Sequence, residues 1–203
     1  DETIALGLVR FTSGGYIKGY ADGTFHPEGL ITRAEMATVF NNVLVLDKQL
    51  KTGAFKDVLK TNWAFDAINI MSAAGLVIGY DDNSFRPLGN ITRGEMATIL
   101  SRAMDKTGVK ADTTKSVVYT DIKGHWSEGA ITKIYQAGIY SPKDLSTFRP
   151  NDKITRAEAV VMINQLMKRV VTKGKVTVPS FTGGPLTYWA LDDIEAAKGT
   201  LTK

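Results

Sequence analysis

The 203-residue chain contains no cysteine. No disulfide braces the fold, and no thiol is available as a nucleophile or metal ligand. Exported proteins also do without cysteine, so the compartment stays open on this ground. Histidine is limited to His26 and His125, and the two do not recur at equivalent positions of the repeat described below. No run of about 18 apolar residues occurs, so no membrane-spanning helix is expected. The chain opens Asp1-Glu2-Thr3, without the basic start and apolar core of a secretory signal. A signal removed before this numbering begins is consistent with that start. Neither charge dominates: 25 Lys and Arg face 21 Asp and Glu, a net charge of +4. Such an excess permits an acidic partner without demanding one. The basic residues are scattered, which argues against nucleic acid. No Gly-x-Ser-x-Gly nucleophile elbow is present.

What the chain does contain is itself, three times over. Ile31-Thr32-Arg33-Ala34-Glu35-Met36-Ala37 recurs as Ile91-Thr92-Arg93-Gly94-Glu95-Met96-Ala97, and again as Ile154-Thr155-Arg156-Ala157-Glu158-Ala159. The arginines are 60 and 63 residues apart. Phe25-His26-Pro27, Phe85-Arg86-Pro87 and Phe148-Arg149-Pro150 keep matching offsets, as do Gly15, Gly75 and Gly138. Phe55-Lys56-Asp57-Val58 pairs with Tyr119-Thr120-Asp121-Ile122, and Trp63 with Trp126. The first repeat lacks this front segment. Phe181 and Trp189 replay it at the far end, with Gly183 where the others have aspartate. The expected organisation is repeats at 1–46, 55–104 and 119–167 and a half-repeat at 181–199, all in one unit. Linkers are expected at 47–53, 105–116 and about 172–179.

Within the second repeat, Trp63, Ala64, Ala67, Ile68, Met71 and Gly75 trace one face of an amphipathic helix that stops at the glycine. A turn-rich loop through Gly79-Tyr80-Asp81-Asp82-Asn83-Ser84 and Arg86-Pro87 follows. A second helix then starts at Thr92. Thr92 and Glu95 form a Thr-x-x-Glu capping box, and Ile91 and Met96 a hydrophobic staple. Thr32, Glu35, Ile31 and Met36 repeat both devices. Thr155 and Glu158 repeat the box, with a weaker staple of Ile154 and Ala159. Phe25, Phe85 and Phe148 are expected as core plugs, and Met36, Met96, Met104 and Met167 as core. The fold class is therefore all-α, built from helix-loop-helix units.

Arg33, Arg93 and Arg156 take no part in these devices. Each is the first residue of a helix, where backbone N–H groups favour an anion and a cation is mildly unfavourable. Two explanations compete: a ligand carboxylate or phosphate, or a salt bridge between repeats. As first-turn side chains, the arginines are expected to hold no core together.

These motifs resemble the S-layer homology domain family. Its hallmarks are the Thr-Arg-Ala-Glu tetrapeptide, a Gly-Tyr…Phe-x-Pro loop and a Phe-x-Asp…Trp-Ala front segment, and they cover nearly the whole chain. The resemblance implies a pseudo-threefold, three-pronged spindle around a central helical bundle. It implies a secreted protein at the cell wall or surface layer. The grooves between repeats would bind anionic secondary cell-wall polysaccharide attached to peptidoglycan, typically through pyruvylated N-acetylmannosamine. The tetrapeptide arginines would contact the ketal carboxylate, to which a guanidinium can pair bidentately. Trp63, Trp126, Tyr20 and Tyr80 would offer faces to sugar C–H groups. Asp57 and Asp121 are candidate contacts that have a turn-fixing alternative. Gly15, Gly75 and Gly138 would admit close backbone approach, or act only as helix stops. The two tryptophans have core packing as their alternative.

The grooves are not expected to be equal. Pro142-Lys143 stands where the other repeats have Gly79-Tyr80 and Gly19-Tyr20, and the first repeat lacks its front Asp and Trp. One or two working sites are expected. No enzyme activity is expected, because the recurring candidates for a carboxylate pair, Glu35, Glu95 and Glu158, are accounted for by capping. No cofactor or metal is expected either, since Asp81-Asp82-Asn83 lacks the ligand pattern of a calcium loop. The chain is expected to be a monomer. The rival reading is a helical-repeat scaffold for protein–protein contacts.

Overall fold

The computed structural model describes residues 8–47, 53–142, 145–176, 179–182 and 188–199. Gly183 and Lys143, two positions on which the sequence reading leans, lie outside these residues. Six helices carry the described fold: α1 (Arg33–Val43), α2 (Phe65–Ala73), α3 (Arg93–Thr107), α4 (Glu128–Gln136), α5 (Arg156–Leu166) and α6 (Leu191–Lys198). The fold is mostly helical but not purely so. β1 (Arg10–Phe11) and β2 (Leu44–Val45) pair antiparallel, Arg10 with Val45 and Phe11 with Leu44. Helix α3 runs through Thr107, into the segment read from sequence as a linker, before Gly108 ends it at φ +74°.

The long helices begin where their capping chemistry puts them. At α1 and α3 the full box forms: Thr32 and Thr92 accept from the Glu35 and Glu95 N–H groups, and each glutamate accepts from its threonine's N–H. At α5, Thr155 accepts from the Glu158 N–H as expected. The Glu158 carboxylate is instead drawn to Arg93, so the box is modified there. Ile31, Ile91 and Ile154, just before the caps, are buried, and their backbones form a closed ring. The Ile31 N–H donates to the Ile154 carbonyl (3.3 Å), Ile154 to Ile91 (3.2 Å) and Ile91 to Ile31 (3.1 Å). Three residues from three repeats thus satisfy one another's backbone groups in a buried position where water cannot.

Each short helix packs on the long helix of the preceding repeat: α2 on α1, α4 on α3 and α6 on α5. This explains the half-repeat. Phe55 stacks on Phe85 and Tyr119 on Phe148, with ring centroids 5.1 and 5.3 Å apart. In the first repeat Phe181 takes that place against Phe25, at 5.7 Å. The carbonyl of Met71 accepts from the Leu76 and Val77 N–H groups, and that of Ile134 from Ile139. At the equivalent place the Ala197 carbonyl accepts from Tyr16 and Ile17, across a break in the chain. Tyr16 and Ile17 thus stand to Ala197 as Leu76 and Val77 stand to Met71. Tyr16 and Asn164 lock the closure: the Tyr16 hydroxyl donates to Asn164 Oδ1 (2.8 Å) and the Val160 carbonyl (3.2 Å), and Asn164 Nδ2 donates to the Asp193 carbonyl (3.0 Å). Phe25, Phe85, Phe148, Met36, Met96 and Met104 are all buried, while Met167 is partly so.

Two outcomes test this closure. Asn164→Ala removes the Tyr16 hydroxyl's bond to Oδ1 and the Nδ2 bond to the Asp193 carbonyl, and is expected to cost about 1–3 kcal/mol in urea unfolding. Asp192, in α6, is desolvated, which alone would raise its pKa. Backbone N–H donors from Gly174, Val176 and Lys175, with Lys173 nearby, outweigh this and hold it below the usual carboxylate value. Its contribution is therefore present above the ordinary carboxylate range and lost as pH falls through the lowered value. Asp192→Asn is expected to flatten that acid limb in a series of unfolding curves against pH.

Candidate functional site

The three motif arginines do not point into open solvent; each reaches across to the next repeat. Arg33 Nε donates to the Phe85 carbonyl (2.7 Å), Nη2 to the Ile78 carbonyl (3.0 Å), and Nη1 pairs with Glu95 Oε1 (2.9 Å). Arg93 Nε donates to the Phe148 carbonyl (2.7 Å), Nη2 to Ser141 Oγ (2.6 Å), and Nη1 pairs with Glu158. Arg156 closes the circle onto the first repeat, with Nε on the Phe25 carbonyl (3.0 Å) and Nη2 on the Lys18 carbonyl (2.9 Å). All three are buried, Arg93 to 1% exposure. The expectation that they hold nothing together is corrected: a guanidinium fork can satisfy several acceptors at once, and Arg33 meets two carbonyls and a carboxylate.

The helix N-termini are also engaged. The N–H groups of Arg33 and Ala34 donate to the Gly89 and Pro87 carbonyls, those of Arg93 and Gly94 to Asp152 and Pro150, and those of Arg156 and Ala157 to Gly29 and Pro27. With the third N–H taken by the cap threonine, the first turn has these donors already spent on the neighbouring repeat. The backbone donors expected to help bind an anion serve the junction between repeats instead.

Asp57 and Asp121 stand one step behind. The two carboxylate oxygens of Asp57 accept from the Phe85 and Arg86 N–H groups (both 2.8 Å), and those of Asp121 from Phe148 (2.8 Å) and Arg149 (2.7 Å). Arg86 and Arg149 sit at φ +56°, a conformation that costs energy outside glycine. The aspartates hold that turn, and the turn aims the Phe85 and Phe148 carbonyls at Arg33 and Arg93.

Beside Arg33 lies an open groove of about 200 Å3, lined by residues from three repeats. Arg33 comes from the first, Gly79, Tyr80, Glu95 and Arg102 from the second, and Trp126 from the third. The Arg33 guanidinium is 4.9 Å from the Tyr80 ring centroid and Arg86 is 3.8 Å from it. The Tyr80 hydroxyl reaches Glu95 Oε1 at 3.4 Å. Trp126 is 65% exposed, so its indole face is presented rather than packed. Trp63 is likewise 66% exposed. Both tryptophans precede their helices instead of lying on the apolar stripe, because the chain turns before α2 and α4 and buries Ala64 and Ser127 in their place.

The remaining candidates fall into two groups. Tyr20 resembles Tyr80: Arg156 lies 4.8 Å from its ring and its hydroxyl is 3.5 Å from Glu35. Burial, the largest effect, raises its pKa. Gly75 (φ +71°) and Gly138 (φ +83°) end helices in the left-handed conformation. Gly15 is pressed against the C-terminus of α6, where a Cβ would overlap the Lys198 carbonyl. In the third repeat Ser141 replaces the carbonyl acceptor with a hydroxyl, and Arg93 is sealed beneath it. A second hollow, lined by Val118, Tyr135, Tyr140, Leu145 and Ser146, contains none of the motif residues.

Two groove residues escaped the sequence reading. Glu95 was accounted for by capping alone, yet one oxygen caps the helix while the other pairs Arg33. Arg102 breaks the repeat: Asn42 and Gln165 occupy its equivalent positions, and that departure was the available signal.

The S-layer homology domain model matches residues 12–37, 54–97 and 118–160. The chain belongs to this family. It is 36% identical over 184 residues to the cellulosome-anchoring protein of Acetivibrio thermocellus, covering 88% of this chain and 41% of that protein. Cell surface glycoprotein 1 of the same organism is 35% identical over 191 residues, 88% of this chain and 8% of the relative. The surface-layer 125 kDa protein of Lysinibacillus sphaericus is 30% identical over 165 residues, 80% of this chain and 14% of the relative. The chain thus spans less than half the length of each of these relatives.

Arg93→Ala removes one half of the buried Arg93–Glu158 ion pair and is expected to destabilise by about 3–5 kcal/mol in chemical denaturation. Arg33→Ala is expected to cost less, because Glu95 is 22% exposed where Glu158 is 5% exposed. Equal losses would contradict the ranking by burial, and no loss from either would contradict a structural role for the junction.

Proposed function

We propose that this chain is a non-catalytic module that tethers its parent protein non-covalently to the cell wall. It does so by holding an anionic secondary cell-wall polysaccharide in grooves between repeats. Membership of the S-layer homology family supports the surface location, as do relatives named for cellulosome anchoring and for surface layers. The closed ring of isoleucine backbones and cyclic arginine contacts supports a pseudo-threefold, three-pronged arrangement of one monomeric chain. In it the repeats at 1–46, 55–104 and 119–167 and the half-repeat at 181–199 act as one unit.

The observation that carries this reading is the groove at Arg33, Tyr80, Glu95 and Trp126. An exposed indole and a phenol flank a hydrogen-bonding, charged floor. Aromatic faces match the C–H surface of a pyranose, while the polar floor suits its hydroxyls and an acidic substituent. The space is suited to a monosaccharide unit, and pyruvylated N-acetylmannosamine is the unit we assign. The grooves are unequal: the Arg93 groove, with its guanidinium sealed by Ser141 and Glu158, is the weakest candidate. One or two sites therefore work.

Sedimentation with purified cell walls tests the proposal. The chain is expected to bind native walls and to lose binding once the polysaccharide is chemically removed. Trp126→Ala is expected to weaken binding without moving the unfolding midpoint, since that side chain is largely exposed. Undiminished binding to stripped peptidoglycan, or to protein alone, would overturn the polysaccharide reading.

A further inference from the structure

The groove beside Arg33 holds a charge that its own junction does not use. Arg33 and Glu95 form a direct ion pair at 2.9 Å, so their charges offset one another. The Arg33 fork is further committed to two backbone carbonyls. Little of this guanidinium remains for a ligand. Arg102, two turns further along α3, lines the same groove. It is half-buried and makes one weak hydrogen bond, from Nη1 to the Leu76 carbonyl at 3.3 Å. No carboxylate pairs with it among the described residues. Its pKa is lowered, with desolvation as the cause and no acidic neighbour to offset it. A partly desolvated cation without a counter-ion is costly by itself and gains most from an incoming anion.

The equivalent grooves lack this feature. Asn42, the counterpart in the first repeat, is neutral and donates to the Tyr16 carbonyl at 3.1 Å. Gln165, the counterpart in the third, accepts from the Tyr140 N–H at 2.9 Å. Both are occupied with backbone groups of the adjoining loop. Of the three, the second position alone has a charged side chain, and it lines the groove with Thr98, Ile99 and the exposed Trp126 without a carboxylate partner among the described residues.

We infer that Arg102 is the residue through which the Arg33–Tyr80–Trp126 groove pairs the carboxylate of an acidic saccharide, making this groove the tightest of the chain. The inference rests on the anchoring reading and goes beyond it, because it takes the anion-pairing role away from the repeated motif and gives it to a residue present in one repeat. Arg33 then acts as a positioning residue that fixes Tyr80 and Glu95 at the floor.

The test is calorimetric titration of the intact chain with a pyruvylated N-acetylmannosamine monosaccharide and with its uncharged methyl ester. Wild type is expected to prefer the free acid. Arg102→Gln is expected to weaken the tightest site by about tenfold or more and to abolish that preference. Arg102→Lys, which keeps the charge and the aliphatic stem, is expected to retain part of it. Thermal unfolding of each variant serves as the control for folding. Wild-type affinity for the free acid in a folded Arg102→Gln variant would overturn the assignment while leaving the anchoring reading intact. If wild type binds neither the saccharide nor polysaccharide-bearing walls, the anchoring reading itself fails.

Discussion

The fold depends on a guanidinium delivered from the first turn of one repeat's long helix to the loop of the next. Burying that charge would be prohibitive without compensation. The receiving loop compensates with a phenylalanine carbonyl at Nε and a second acceptor at Nη2, and in two of three cases the first turn of the next long helix adds a carboxylate at Nη1. Lysine has no planar fork to meet these acceptors together. The acceptors are in turn aimed by a strained turn that Asp57 and Asp121 hold with both oxygens. Sequence motif, turn and junction are therefore one device, and no repeat completes it alone.

Because the device is cyclic, it needs the last repeat to find the first. Arg156 reaches the Phe25 carbonyl and the isoleucine backbone ring closes. The front half of the first repeat is then supplied by Phe181 and α6. Closing so long a loop adds little entropy beyond that of closing a shorter one, since the cost grows only logarithmically. The return is large: Phe25 gains its ring partner, α5 gains a covering helix, and Tyr16 gains a buried acceptor in Asn164.

Much of this was readable in the residues. Thr-x-x-Glu located the start of three helices, because capping is a local interaction that needs only four residues. The recurrence of Phe181 and Trp189 led to the expectation of a half-repeat, and Phe181 meets Phe25 as Phe55 meets Phe85. What could not be read were the long-range partners. Nothing near Arg93 in sequence indicates Glu158 or Ser141, 65 and 48 residues away. From sequence the first-turn arginine reads as either a ligand residue or an inter-repeat salt bridge, and at Arg33 and Arg93 the structure shows the bridge. The tryptophans misled for the opposite reason. Helical spacing placed Trp63 on an apolar stripe, but the helix starts after it and leaves it exposed. Periodicity cannot show which side of a helix boundary a residue occupies.

The same architecture ties ligand binding to folding. Arg33, Tyr80 and Trp126 come from three different repeats, so their groove exists only in the closed ring. A ligand that binds the closed state alone stabilises every junction, by an amount that grows with the logarithm of its concentration over its dissociation constant. A polysaccharide presents its acidic unit many times along one chain. Once one groove is filled, a second site on the same molecule meets its ligand at high effective concentration, provided the spacing permits. On the proposed anchoring reading, modest affinity at one groove would then suffice for firm attachment. The remaining grooves would be free to diverge, as the residues Ser141 at the Arg93 junction, and Asn42 and Gln165 at the positions equivalent to Arg102, do.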